Sequence, residues 1–87
     1  MKDAKPDMPL SELERRVGEI WKDVLGVSDD KAGATFFELQ GQSISAVRIV
    51  ARIEDELGVR VDVGILFEDP TMSTFIRDVV ATAQENH

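Results

Sequence analysis

The sequence predicts an all-α fold: a small bundle of three main helices and one short one, with a long first loop. Three observations carry this. Apolar residues recur at three- and four-residue intervals in three separate stretches, and glycine or proline stands where segments must end. The one alternating run, Arg60-Val61-Asp62-Val63, has no second run to pair with, so it does not read as a strand.

Met1 to Met8 is charged, contains Pro6 and lacks periodicity, which reads as a flexible leader closed by Pro9. Residues 9–83 then form one domain and 84–87 a frayed tail. Met1 and the charged leader lean toward a free-standing protein. Ser11-Glu12-Leu13-Glu14 fits a capping box, and Leu13, Val17, Ile20 and Val24 give the first helix its apolar face, with Trp21 and Leu25 at the edge. Gly26 is its expected stop. Gly18 lies inside the helix, which suggests a closely packed neighbouring segment.

Val27 to Gln40 is long for a connection between helices and needs an anchor. Phe36, Phe37 and Leu39 supply one. Burying two such side chains contributes several times ~1.5 kcal/mol and pins the loop just before Ser43, so Phe36 and Phe37 are both expected to be structural. Asp29 and Asp30 lack the spacing of a calcium loop and read as a solvated turn.

The second helix spans about Ser43 to Leu57. Ala46, Ile49, Val50, Ile53 and Leu57 form its inward stripe, and Gly58 with Val59 fits a glycine C-cap. At 100° per residue Ile44 falls opposite the stripe, with Ala51 beside it and Val47 at the margin. A core does not explain an apolar residue there. Arg48, Arg52 and Asp55 flank that line, either as a solvated face or as partner contacts. Asp62 can cap a short helix through Phe67, held by packing of Val63, Leu66 and Phe67. Pro70 ends that element and Thr71 caps the next, whose buried face is Phe75, Ile76, Val79, Val80 and Ala83.

Leu39-Gln40-Gly41-Gln42-Ser43-Ile44 is the stretch around which the rest is arranged. Ser43 stands as an N-cap or first-turn residue, Gly41 offers backbone freedom, and the positive end of the helix favours an anion on the hydroxyl. Ordinary capping explains the serine too, and most serines before helices do nothing more. The surrounding residues distinguish the two. Phe36-Phe37-Glu38-Leu39, Gly41, Ser43-Ile44, Ala46-Val47-Arg48-Ile49-Val50, Leu66-Phe67-Glu68 and Pro70-Thr71 resemble the acyl and peptidyl carrier protein family over roughly residues 10 to 83. The likeness is closest to the peptidyl carriers of nonribosomal peptide synthetases.

That resemblance implies that Ser43 bears a 4′-phosphopantetheine arm, derived from coenzyme A, whose thiol holds an aminoacyl, aryl or acyl group as a thioester. It implies a partner-recognition face of Gln42, Ile44, Val47, Arg48 and Ala51. The implied partners are a phosphopantetheinyl transferase, an adenylating enzyme or domain, and condensation, tailoring or thioesterase enzymes. The sequence departs from the family pattern at Gln40, where a second glycine is common, and at Gln42, where aspartate or histidine usually precedes the serine. Fatty-acid carriers generally have a more acidic second helix, so Arg48 and Arg52 favour the nonribosomal-peptide branch.

Composition agrees with a carrier and excludes several other classes. The 87 residues suffice for one domain, with 43% apolar and 31% charged residues. A formal charge of −7 disfavours nucleic acid and points to partners with basic patches. No apolar run approaches a membrane span and Met1 to Lys5 is not a secretory signal, so a cytoplasmic protein without a membrane partner is expected. A monomer without a metal site is expected as well. With no cysteine, any thiol must come from a cofactor. The single histidine is His87, which leaves Ser43 without a base for hydrolase chemistry and predicts a protein that is not itself an enzyme. The alternatives are an acyl carrier of fatty-acid or polyketide synthesis and, from another class, an unmodified helical interaction module docking through Ile44 and Val47.

Overall fold

The computed structural model describes residues 8–31 and 33–85. Helix α1 spans Leu10–Leu25, α2 spans Ser43–Leu57 and α3 spans Met72–Glu85, with a short 3-10 helix, Val63–Glu68, between the last two. A further 3-10 turn covers Asp29–Lys31. α1 packs against both α2 and α3, and the short helix against both α2 and α3. The expected all-α bundle is therefore the observed one. Among the described residues, the only extended pairing is a single antiparallel bridge between Thr35 and Thr71.

The periodic stripes become the core. Val17, Ile20, Ala46, Ile49, Ile53, Leu66, Phe75 and Val79 are all but inaccessible to solvent. α1 and α2 each end at a glycine in the left-handed region, Gly26 at φ 69° and Gly58 at φ 73°, as the stop signals predicted. Asp62 caps the short helix by accepting from the Gly64 amide at 2.9 Å, and Thr71 Oγ1 accepts from the Thr74 amide at 3.3 Å at the start of α3.

Four expectations need correction. The capping box does not form: α1 begins at Leu10 behind the extended Pro9, whose carbonyl accepts from the Leu13 amide at 3.0 Å. Ser11 is thereby drawn inside the first turn. Trp21 is not at the core edge but at its centre, 1% exposed, with ring centroids 6.0 Å from Phe36 and 5.4 Å from Phe75. Phe36 arrives from the long loop, and no helical wheel shows that cover. Phe67 does not hold the short helix, because it remains 45% exposed while Leu66 is buried and Val63 and Ile65 are partly so. A 3-10 helix has three residues per turn, so residues 63 and 66 share a face that 67 leaves. Finally, a β-carbon built on Gly18 would lie 3.4 Å from Ile76 Cδ1 and 3.7 Å from Met72 Sδ. α3 does pack there, but at ordinary contact distance.

Met8, assigned to the leader, packs partly buried against the core, and Gln84 and Glu85, assigned to the tail, are helical. Residues 1–7 and 86–87 lie outside the described residues.

Charged side chains fasten α1 to α2. Arg52 donates through Nη1 to Asp23 Oδ2 at 2.6 Å and through Nε to Glu56 Oε2 at 2.8 Å, while Arg16 reaches Glu56 Oε1 at 3.4 Å. The hydrogen bond from Arg52 holds the Glu56 carboxyl below its ordinary value of 4.5, against the opposing effect of partial burial. A carboxyl depressed in the folded state stabilises the fold above its unfolded pKa, and the contribution disappears as pH falls through the folded value. Glu56→Gln should therefore lose less stability than the parent between pH 6 and pH 3. Urea midpoints at the two pH values check this, and equal losses would remove Glu56 from the account.

Candidate functional site

The loop before α2 is built by contacts distant in sequence. The Phe36 amide donates to the Pro70 carbonyl at 2.8 Å and the Phe37 amide to Asp69 Oδ1 at 2.8 Å. Thr35 makes the bridge to Thr71. Three successive residues of the loop thus lie on the turn between the short helix and α3. A local lock reinforces them: Glu38 Oε1 accepts from the Thr35 amide at 2.9 Å, and the Glu38 amide donates to Thr35 Oγ1 at 3.2 Å.

The two phenylalanines separate in role. Phe36 is fully buried, whereas Phe37 is 48% exposed, its ring 5.7 Å from Phe36. The expectation that both anchor the loop is corrected to Phe36 alone, with Leu39 partly buried beside the core. With the backbone at 36 and 37 held by residues 70 and 69, one ring turns in and its neighbour turns out.

Gly41 is needed for space. A β-carbon there would come within 2.5 Å of the Phe36 ring, while its backbone avoids the left-handed region. The residue that does adopt a positive φ is Gln40, at 65°. A left-handed conformation is costly for a side chain bearing Cβ, which gives the physical sense of a glycine at that position. The turn is closed by the Gln40 amide donating to the Phe37 carbonyl at 2.9 Å and the Gly41 amide to the Phe36 carbonyl at 2.9 Å.

Gln42 is the N-cap of α2, extended at φ −138° and ψ 175°, and Ser43 is the first helical residue. Gln42 makes no side-chain cap, and no acidic residue lies in the first turn. The Ser43 side chain is exposed, and its hydroxyl has no hydrogen-bond partner among the described residues. The first-turn amides and the positive end of the helix dipole are thus left to a negative group outside the protein. These features fit a phosphodiester on the hydroxyl: an unencumbered oxygen, a favourable field and a first turn of α2 without a carboxylate.

The outward line beyond Ser43 is as the spacing predicted. Ile44 is 71% and Val47 58% exposed, and Gln42, Arg48 and Ala51 are exposed as well. Arg48 has no ion-pair partner among the described residues, whereas Arg52 is engaged by Asp23 and Glu56. The depressions beside Arg48 and Ala51 are open grooves, one lined by Asp23, Val24, Arg48, Ala51 and Arg52. Sequence reasoning missed Asp69, whose role depends on an amide 32 residues away. Its position before Pro70 signalled only a turn.

The bundle sets an exposed serine at the start of α2, an arrangement that a carrier can use. Comparison with known proteins agrees. Residues 15–79 match the family described as "Phosphopantetheine attachment site", and the chain belongs to that family of 4′-phosphopantetheine-bearing carriers. It is 42% identical over 76 residues to phosphinothricin tripeptide synthetase PhsC of Streptomyces viridochromogenes, covering 87% of this chain and 7% of that protein. It is 38% identical over 69 residues to tyrocidine synthase 3 of Brevibacillus parabrevis, covering 79% of this chain and 1% of that protein. The chain thus spans only a small part of these curated relatives' length. Among solved structures it resembles BlmI, a type-II acyl carrier protein from Streptomyces verticillus involved in bleomycin biosynthesis. There the TM-score is 0.71 at 30% identity, covering 85% of this chain and 89% of that one.

Proposed function

We propose that Ser43 carries the 4′-phosphopantetheine arm, and that the domain presents aminoacyl, aryl or acyl intermediates to successive enzymes of a nonribosomal-peptide or related natural-product route. The observation that carries this reading is the exposed, unpartnered Ser43 hydroxyl at the start of α2, inside the segment that matches the family. The arm supplies the terminal thiol that holds cargo as a thioester, a group this cysteine-free chain lacks.

The protein's own residues hold the oxygen and its surroundings. Phe36, Pro70 and Asp69 fix the loop, Gly41 lets the Phe36 ring close beneath it, and α2 directs its positive end at the linkage. Such a helix terminus favours a nearby negative charge by about 0.3–1 kcal/mol. Partners act from outside: a phosphopantetheinyl transferase with coenzyme A, an adenylating enzyme or domain, and condensation, tailoring or thioesterase enzymes. The domain performs no catalysis of its own in this scheme and works as a cytoplasmic monomer. Intact mass after coexpression with a phosphopantetheinyl transferase, followed by peptide mapping, tests the assignment. One added phosphopantetheine on Ser43 is expected, and an arm on Ser11, Ser45 or Ser73 would defeat it.

Gln42, Ile44, Val47, Arg48 and Ala51 form the face that those partners meet. Ile44 is the residue to examine first. Truncating so exposed a side chain should alter stability by under about 0.5 kcal/mol. An anchor desolvated at an interface commonly costs more than about 1 kcal/mol when lost, roughly a fivefold or greater fall in modification or loading efficiency. Thermal unfolding of Ile44→Ala, paired with both rates, checks this. Early unfolding or parental rates would place the face elsewhere.

A further inference from the structure

We propose that Asp69 is a positioning residue for Ser43, tying the short helix to the loop that leads into α2 so that the two flanks of the site move as one body. The proposal rests on the reading of Ser43 as the attachment residue.

Asp69 is held in an uncommon conformation. Its φ is 61° and ψ 53°, the left-handed region, in a residue with a β-carbon and directly before Pro70, where extended backbone is usual. Its own amide reaches back to the Leu66 carbonyl at 3.3 Å, closing the short helix. The conformation places the carboxylate where Oδ1 accepts from the Phe37 amide at 2.8 Å. Backbone strain of this kind persists only where surrounding contacts enforce it.

The short helix ends in Asp69, which holds the backbone of Phe37. Pro70 holds the backbone of Phe36. The Phe36 ring lies against Gly41 so closely that no β-carbon fits between them, and Gly41 is two residues before Ser43. Nothing in this chain of contacts is long or loose. Phe37, whose amide Asp69 holds, and Phe67, two residues before Asp69, are 48% and 45% exposed.

Two substitutions at one position test the idea. Asp69→Gly removes the acceptor while relieving the positive φ, and Asp69→Asn keeps an acceptor oxygen on a residue that tolerates that φ. The full chain is used, with amide exchange by NMR and steady-state modification by a phosphopantetheinyl transferase. In Asp69→Gly the Phe37 amide should exchange at least ~10-fold faster, the Gly41 to Ile44 amide resonances should shift, and kcat for modification should fall about fivefold or more with KM within twofold. Asp69→Asn should restore all three.

Parental kcat in an Asp69→Gly protein whose Phe37 amide has been released would overturn the proposal, as would a loss confined to KM or one that Asp69→Asn does not rescue. Unfolding midpoints for both variants identify a loss that merely follows global destabilisation, which would also count against positioning. Failure of the underlying reading shows separately, since the parent itself would then take no arm on Ser43.

Discussion

Ser43→Ala is expected to abolish attachment of the arm, and with it all loading, while leaving the fold essentially unchanged. The loss is complete because alanine has no oxygen to esterify. From sequence, removal of a capping serine carries a cost of about 1 kcal/mol. The structure lowers that figure: Gln42 is the N-cap, and Ser43 is the first helical residue with a hydroxyl that bonds to nothing in the described protein. Alanine also has the higher helix propensity. A stability change under about 0.5 kcal/mol is therefore expected, measured by thermal or urea unfolding beside intact mass after exposure to a transferase and coenzyme A. A variant that still gains the arm would move the attachment site elsewhere.

Phe36→Ala should be the most damaging single truncation near the site. The ring is fully buried, stands 6.0 Å from Trp21 and fills the space against Gly41. Truncating a buried phenylalanine costs about 3–5 kcal/mol, a large share of the 5–15 kcal/mol that holds a typical domain together. Phe37→Ala, by contrast, removes a ring already 48% exposed and should cost under about 1.5 kcal/mol, the upper value of a tilted ring pair such as it makes with Phe36. Urea denaturation of the pair separates them. Equal losses would contradict the division of labour between the two rings. Gly41→Ala should fall on the Phe36 side of that divide, since its β-carbon and the ring cannot both keep their places.

What the sequence determined by itself was whatever depends on neighbours within one or two turns. The stripes of α1, α2 and α3, the glycine stops at 26 and 58, the Asp62 and Thr71 caps and the outward direction of Ile44 all follow from spacing within a single element. A helix of known period fixes which residues share a face whatever it packs against. The carrier resemblance was legible too, because the string around Ser43 and the downstream Phe67-Glu68 and Pro70-Thr71 element stand together in one sequence.

The tertiary structure decided what depends on contacts between distant segments or on a period other than 3.6. Trp21 moved from edge to centre because a loop residue 15 positions later covers it, and Phe67 turned outward because its helix is 3-10. Phe36 and Phe37 parted because Pro70 and Asp69 fix their amides, an arrangement no spacing rule contains. Gly41 was expected to supply backbone freedom, and the folded chain uses it for space instead. The close approach of a ring demanded the glycine at 41, and the turn imposed a positive φ on Gln40. Side-chain size and backbone conformation at these positions answer to a three-dimensional neighbour, and only the folded chain supplies it.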